Sequence, residues 1–483
     1  MSTRCYRRFA RLPLLPRTAI LCAAAALLLL QARLLPAVDG LDDNPGAWGF
    51  VPFDLGAGGT DQAFACAAQS DGRIVLAGRV TDDDGEGTKI AIARIGANGL
   101  PDPTFGVSGR VAIDFTANGY ALDHGAARAV LIDSLGRFLV VGTAQTTAGG
   151  AVRTFVTRLL ADGSIDQTFL YNGISGGWYF STFLRVVSTA ALDRAGNLWI
   201  VGPEMADLTG GWSFLRLDPN GLEIAAETIP VDSHPISNPT AILFQPDSKP
   251  VLGGWGQQSG PPAYSSFLLI RLLAGGPAAI PDTSFGFMGD GWVNLEYQQT
   301  AQLQSIALLP NLGIAVAGQA GPLAEEDLVV QRLTPSGIAD GSFETYVAFD
   351  VGGTGGDGIA GQVRMVAQSD GKIVLAARVA TGDGGNVSDV GVARLLPNNQ
   401  LDPSFGGLGT GQRVFGLAAP PPGNGDDGVS CLVLAAGRPV VAGWGEYIGI
   451  DTDFAYRRLT SSLIFSDGFE SGWTFFWSAA VVL

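Results

Sequence analysis

The chain has 483 residues, 47% hydrophobic and 15% charged, with 68 glycines. It is too long for one compact core and too apolar for disorder, so a repeated or multi-domain globular protein is expected. Twenty-nine basic residues oppose 45 acidic ones, a net charge of −16; six of the arginines precede Ala37, so the remainder holds 23 against 45, or −22. A body that acidic repels phosphate backbones and anionic membrane surfaces, which argues against nucleic-acid and polybasic lipid binding.

Residues 1–37 open with Arg4, Arg7 and Arg8, run through the apolar stretch from Ala19 to Leu30, and close near the small Ala37. They read as a secretory signal peptide, with a signal anchor as the alternative because Leu35 fits an A-x-A site poorly. No later apolar run is long enough to span a bilayer. The mature chain is therefore expected to be secreted, periplasmic or at the cell surface of a bacterium, without a transmembrane span and monomeric.

From residue 64 the chain repeats. The block from Ser70 to Gly78 returns almost intact from Ser369 to Ala377, and weaker copies end at Gly142, Gly202, Gly254, Gly318 and Gly443. An apolar run ending in arginine follows each copy: Arg94, Arg158, Arg216, Arg271, Arg332, Arg394 and Arg458, spaced near sixty residues. A third anchor, Asp-x-Ser/Thr-Phe, starts at Asp102, Asp166, Asp282, Asp340 and Asp402. Each unit reads as four strands. In the sixth these are Val363 to Ala367, Ile373 to Ala377, Val390 to Leu395 and Gln412 to Phe415, joined by Ser-Asp-Gly and Asn-Asn turns. No stretch after Ala37 sustains a helical period.

Seven such units predict an all-β fold, a seven-bladed β-propeller with four-stranded antiparallel blades spanning residues 38–465; an open β-solenoid is the alternative. The last unit lacks the Asp-x-Ser/Thr-Phe corner, whereas Trp48 to Asp54 resembles a fourth strand. Residues 48–55 are therefore expected to complete the seventh blade and close the ring. Residues 466–483, with Trp473, Phe475, Phe476 and Trp477, are left as a C-terminal tail, a packed end or a sorting or attachment motif.

The Ser-Asp-Gly-Arg-Ile-Val-Leu-Ala-Gly block, the Ala-Arg-Ile pair and the run from Leu100 to Gly106 resemble the delta-60 repeat family. The resemblance covers about residues 64–460 and is weakest in the third unit. It implies a propeller-like fold in secreted or surface proteins of bacteria and no particular chemistry.

Among residues with chemical potential, the seven arginines are expected to be structural, each pairing with a corner aspartate (Asp102, Asp166, Asp282, Asp340 or Asp402) of its own or the neighbouring blade. Cys66 and Cys431 read first as small core residues, since the matching positions Val130, Ala190, Ile242, Ile306 and Met365 are apolar; a ring-closing disulfide is the alternative. His124 and His234, the only two histidines, fall in blade-to-blade links, which disfavours acid–base enzymology near neutral pH. No serine-hydrolase, zinc or phosphate-loop motif is present. Asp82, Asp83, Asp84, Glu86, Glu325, Glu326, Asp327, Asp383, Asp426 and Asp427 are expected to gather on one loop-rich face, solvating it or offering oxygens to Ca²⁺, although ordered calcium-loop spacing is missing. No cofactor is otherwise expected. The function expected is that of an exported, non-enzymatic propeller binding an extracellular protein, a glycan or a cation through that acidic face. The alternatives are a hydrolase or lyase acting at the channel mouth, and a structural surface or adhesion component.

Overall fold

The computed structural model of the protein describes residues 50–51, 60–81, 87–115, 122, 124–145, 152–171, 174–204, 210–231, 234–258, 264–276, 278–297, 300–321, 327–341, 344–349, 359–381, 388–406, 410–417, 426–447 and 451–459. The segments assigned above to a signal peptide and a tail lie outside the described residues. Every regular element among the described residues is a strand.

The first unit shows how the sequence sets the pattern. Gln62–Ala68 runs into a turn in which Gly72 adopts φ +85°, a conformation glycine takes without strain. Asp71 Oδ1 accepts the Arg73 N–H there at 3.1 Å. Ile74–Thr81 returns antiparallel with Leu76 opposite Cys66, Thr88–Ile95 follows, and Arg110–Ile113 forms the outer strand. Residues 74–78 are buried on both faces, as an uninterrupted apolar run requires.

The sheets correct the expected seven separate four-stranded blades. Among the described residues five four-stranded blades form, not seven, and the strands of the first two units make one eight-stranded sheet through a parallel pairing of Thr88 with His124. His124 does not lie in a link. It opens the strand His124–Ile132, opposite Gln145. The Thr88 hydroxyl donates to the Gly125 carbonyl and accepts the Gly125 N–H, each at 3.1 Å, which holds the two units edge to edge. A small ribbon pairs Leu170–Tyr171 with Ile174–Ser175.

The first strands of successive units pack side by side around a central channel, and the last of them, Asp427–Ala435, packs back on Gln62–Ala68. Phe50–Val51 adds antiparallel to Asp451–Arg458, with Phe50 opposite Ala455. The junction of the last and first units has its own core, in which Ile74, Leu76 and Ile95 meet Val440, Phe454 and Tyr456. The Tyr456 hydroxyl donates to the Gly99 carbonyl at 2.9 Å, and Arg458 Nη1 donates to the Ala97 carbonyl at 3.3 Å.

Cys66 and Cys431 are joined by a disulfide across this junction, with Cα atoms 5.9 Å apart. Reading them as separate core residues fails because they are not equivalent in register. Cys66 lies opposite Leu76, whereas the shorter turn of the last unit places Leu432 at the matching position, opposite Val441. Cys431 is thus one step off. A one-residue offset along a strand turns the side chain to the other face of the sheet, so Cys431 faces forward to meet a Cys66 that faces back.

Among the described residues no helix is long and apolar enough to cross a membrane.

Candidate functional site

Two polar systems occupy opposite ends of the ring. At the end carrying the tight turns, Arg94, Arg158, Arg271 and Arg394 each donate Nε to Oδ2 of Asp102, Asp166, Asp282 and Asp402 at 2.8–2.9 Å. Oδ1 of each aspartate accepts both the backbone N–H and the hydroxyl of Thr104, Thr168, Ser284 or Ser404. The rings of Phe105, Phe169, Phe285 and Phe405 lie 4.7–4.9 Å from the guanidinium carbons. Asp-x-Ser/Thr-Phe is therefore a socket for one arginine: the carboxylate, the hydroxyl and the ring all converge on it.

The sequence reading missed a second cation in each socket. Arg73, Arg137, Lys249 and Lys372, each just after the tight turn, reach the same aspartates at 2.9, 3.5, 2.8 and 3.0 Å. The signal was present in the sequence, because these units carry a basic residue at that position. The fifth unit has Gly313 there; its Asp340 is exposed, and Arg332 Nε donates to Asn399 Oδ1 of the next unit at 2.6 Å. In the third unit, which has no corner, Arg216 lies 3.7 Å from Asp193 of the turn. The guanidiniums also link neighbours. Arg94 donates to the Ala161 carbonyl, Arg158 to Pro219, Arg216 to Gly276, Arg271 to Pro335 and Arg332 to Leu396. Burial alone would raise the Asp102 and Asp402 carboxyls, but the hydroxyl and backbone hydrogen bonds and the paired cations outweigh it and hold both at about 2.

At the other end the inner strands carry bulges at a common position. Phe64, Arg128, Thr240, Gln304 and Ser430 fall between paired residues and so escape the ladder. The bulge explains the glycine that ends most copies of the repeat block. A Cβ on Gly78, Gly142, Gly254, Gly318 or Gly443 would stand 1.8–2.2 Å from an inner-strand carbonyl oxygen, and one on Gly202 would stand 1.9 Å from the Val186 carbonyl oxygen just before its inner strand. The sixth unit, which has Ala377 instead, departs here, and its pairing skips Gln362 and Val363.

The bulged side chains line the channel together with Ser188 and Arg364. Its mouth is a cavity of about 380 Å³ walled by Phe64, Arg128, Arg185, Gln362, Arg364 and Ser430 among others, and a further 250 Å³ continues along the inner strands. The Arg128 guanidinium lies 4.5 Å from the Phe64 ring centroid and Arg79 lies 5.7 Å from it. Arg364 donates Nε to the Ser430 carbonyl at 2.7 Å and Nη1 to the Val363 carbonyl at 3.0 Å. Among the described residues no carboxylate pairs with Arg128, Arg185 or Arg364. Arg128 keeps an exposed surface and Arg364 is half-buried, with protein packed against each guanidinium. Burial, with the like charge of Arg79, lowers Arg128, and burial lowers Arg364 to about 10. Gln362 Oε1 and Ser430 Oγ are buried here without a hydrogen-bond partner. Such a cavity can hold an anion and satisfy its hydroxyls.

Of the acidic loop residues, Asp82, Asp83, Asp84, Glu86, Glu325, Glu326 and Asp383 lie outside the described residues. The others are tied into the fold. Asp327 opens a strand opposite Ala320, both oxygens of Asp426 accept Arg378 Nη2 at 2.6 Å, and Asp427 accepts the Leu417 N–H at 2.7 Å. Among the described residues no group of three or more His, Cys, Asp or Glu converges as a metal site. His234 is buried, and burial lowers its pKa against the opposing charge of Glu296.

Residues 69–105, 136–169 and 368–405 match a family described as a domain of unknown function, DUF5122, beta-propeller. A comparison with curated proteins finds no significant match. Similar solved structures include a protein of unknown function from Dyadobacter fermentans, at 11% identity, 88% of this chain, 98% of the other and a TM-score of 0.40. Polysaccharide lyase Uly1 is similar at 9% identity over 90% and 95% of the two chains, with a TM-score of 0.49. The β-propeller domain of the Trilobed protease from Pyrococcus furiosus is similar at 9% identity over 82% and 93%, with a TM-score of 0.41. Three segments of the repeat thus match a β-propeller family, and the chain folds as an all-β propeller.

Proposed function

We propose that the protein is an exported propeller of the delta-60 kind that acts by binding, and that its ligand enters the arginine-lined mouth of the central channel. The observation that carries this reading is the set Arg128, Arg185 and Arg364, gathered around one cavity with no carboxylate among the described residues to neutralise them. A cluster of like charge is destabilising unless it has use for an anion. Asp426 and Asp427 already serve the fold, which favours the mouth over these two residues as the ligand surface. The described polar groups at the mouth are guanidiniums, an amide and hydroxyls. They hold a ligand without offering a proton acceptor matched to neutral pH. Export is supported by the N-terminal basic and apolar stretch and by the Cys66–Cys431 bond, which suits an oxidising compartment.

The test blocks the channel without touching the core. With both cysteines of the chain from Val38 onward bonded, Val152→Cys at the cavity wall is a single labelling site. A glycan and peptide array is probed with unlabelled Val152→Cys and with the same variant carrying a bulky maleimide. Loss of the array signal on labelling is expected. An unchanged signal would place binding elsewhere and overturn the reading.

A further inference from the structure

We infer that the ligand of this mouth is an acidic sugar, its carboxylate held by Arg128, Arg185 and Arg364 and its hydroxyls by Gln362 and Ser430. The inference rests on the channel-mouth reading above and adds the chemical class. Guanidiniums match a planar carboxylate with paired N–H donors. Phe64 braces the Arg128 guanidinium from one side, and the bond from Arg364 Nε to the Ser430 carbonyl fixes the second guanidinium, so two of the three donors are set before a ligand arrives.

A bare anion would leave the rest of the cavity unexplained. Gln362 Oε1 is a buried acceptor with no donor, and Ser430 Oγ is a buried hydroxyl with no partner. Leaving such groups unsatisfied is costly, and since both residues line the mouth, a small turn of either side chain brings its polar atom to a hydroxyl of a ligand that carries several beside its carboxylate. Ser188 and Thr143 add further hydroxyls to the wall. A mouth of about 380 Å³ falls in the range of roughly 300–1,000 Å³ in which small-molecule sites occur, enough for a sugar rather than a single ion.

Calorimetric titrations with glucuronate, galacturonate, glucose, acetate and inorganic phosphate test this on the folded protein. At least one uronate is expected to bind more tightly than acetate or phosphate, more weakly at high salt, with glucose silent. Arg128→Gln, which removes a side chain with no hydrogen bond to the described residues, is expected to weaken uronate binding about ten-fold or more. Arg185→Gln serves as the second variant, and both are checked for an unchanged melting temperature. Glucose binding as well as the uronates would overturn the need for the anion. Acetate or phosphate binding as well as the uronates would overturn the sugar, and no uronate binding would overturn the inference outright. If the uronates fail while an array ligand is still lost on labelling Val152→Cys, the channel reading stands and only the ligand class falls.

Discussion

Replacing Cys66 and Cys431 with alanine removes the covalent tie between the first and last units. The two residues are 365 positions apart. The chain-entropy relation for a loop of that size gives about 6 kcal/mol at 25 °C, while measured bridges cluster near 2–4 kcal/mol, so a loss of about 3 kcal/mol is expected. With an unfolding entropy of about 2.1 cal/mol/K for each of roughly 430 residues, that corresponds to a fall in Tm of about 3 °C. Alanine introduces no strain of its own, since Ala190 stands at the position matching Cys66 and Ala65 at the position matching Cys431. Urea unfolding followed by tryptophan fluorescence, with and without reductant, measures the effect. The double variant is expected to unfold at lower urea and to ignore reductant, and the wild type with reductant is expected to match it. A wild-type midpoint indifferent to reductant would refute the closure argued from the register offset of Cys431.

The sockets, the bulged strands and the ring junction give four further expected outcomes. Asp402 sits at about 2 in the folded state, below the ~3.9 of an unfolded aspartate, so its contribution is complete above about pH 4 and lost as pH falls through 2. Asp402→Asn is expected to lower Tm at pH 7 and to flatten the loss of stability between pH 4 and 2; an unchanged acid limb would exclude the socket as its source. Gly142→Ala sets a Cβ 2.0 Å from the Ala126 carbonyl oxygen and 2.8 Å from the Phe155 ring, and is expected to cost about 2–4 kcal/mol in urea unfolding. Ala377→Gly, at the unit lacking that approach, should cost about 1 kcal/mol or less. Tyr456→Phe deletes the bond to the Gly99 carbonyl and is expected to cost about 1 kcal/mol by the same assay.

Much of the fold was legible because it is written in short-range chemistry. Residues 74–78 read as a buried strand from their apolar run, and Asp102 to Phe105 read as a corner whose carboxylate and ring serve Arg94. What escaped depends on register. The shared sheet of the first two units comes from Thr88 meeting Gly125, an encounter that neither segment announces. The Cys66–Cys431 bond escaped because counting back from the turn glycine ignores the shorter turn of the last unit, which flips Cys431 across its sheet. Arg128 and Arg364 escaped because a bulge interrupts the alternation by which inward and outward positions are counted. A sequence signal did exist. Phe64, Arg128 and Ser430 are large or polar residues set among small or apolar neighbours in their inner strands.

A crystal structure of the protein soaked in the tightest-binding uronate locates the ligand relative to the three arginines. The expected result is the sugar at the channel mouth, its carboxylate within hydrogen-bond distance of Arg128 and Arg364 and a hydroxyl on Gln362 Oε1. A sugar bound on the outer surface of the ring, with the mouth holding only water, would contradict it.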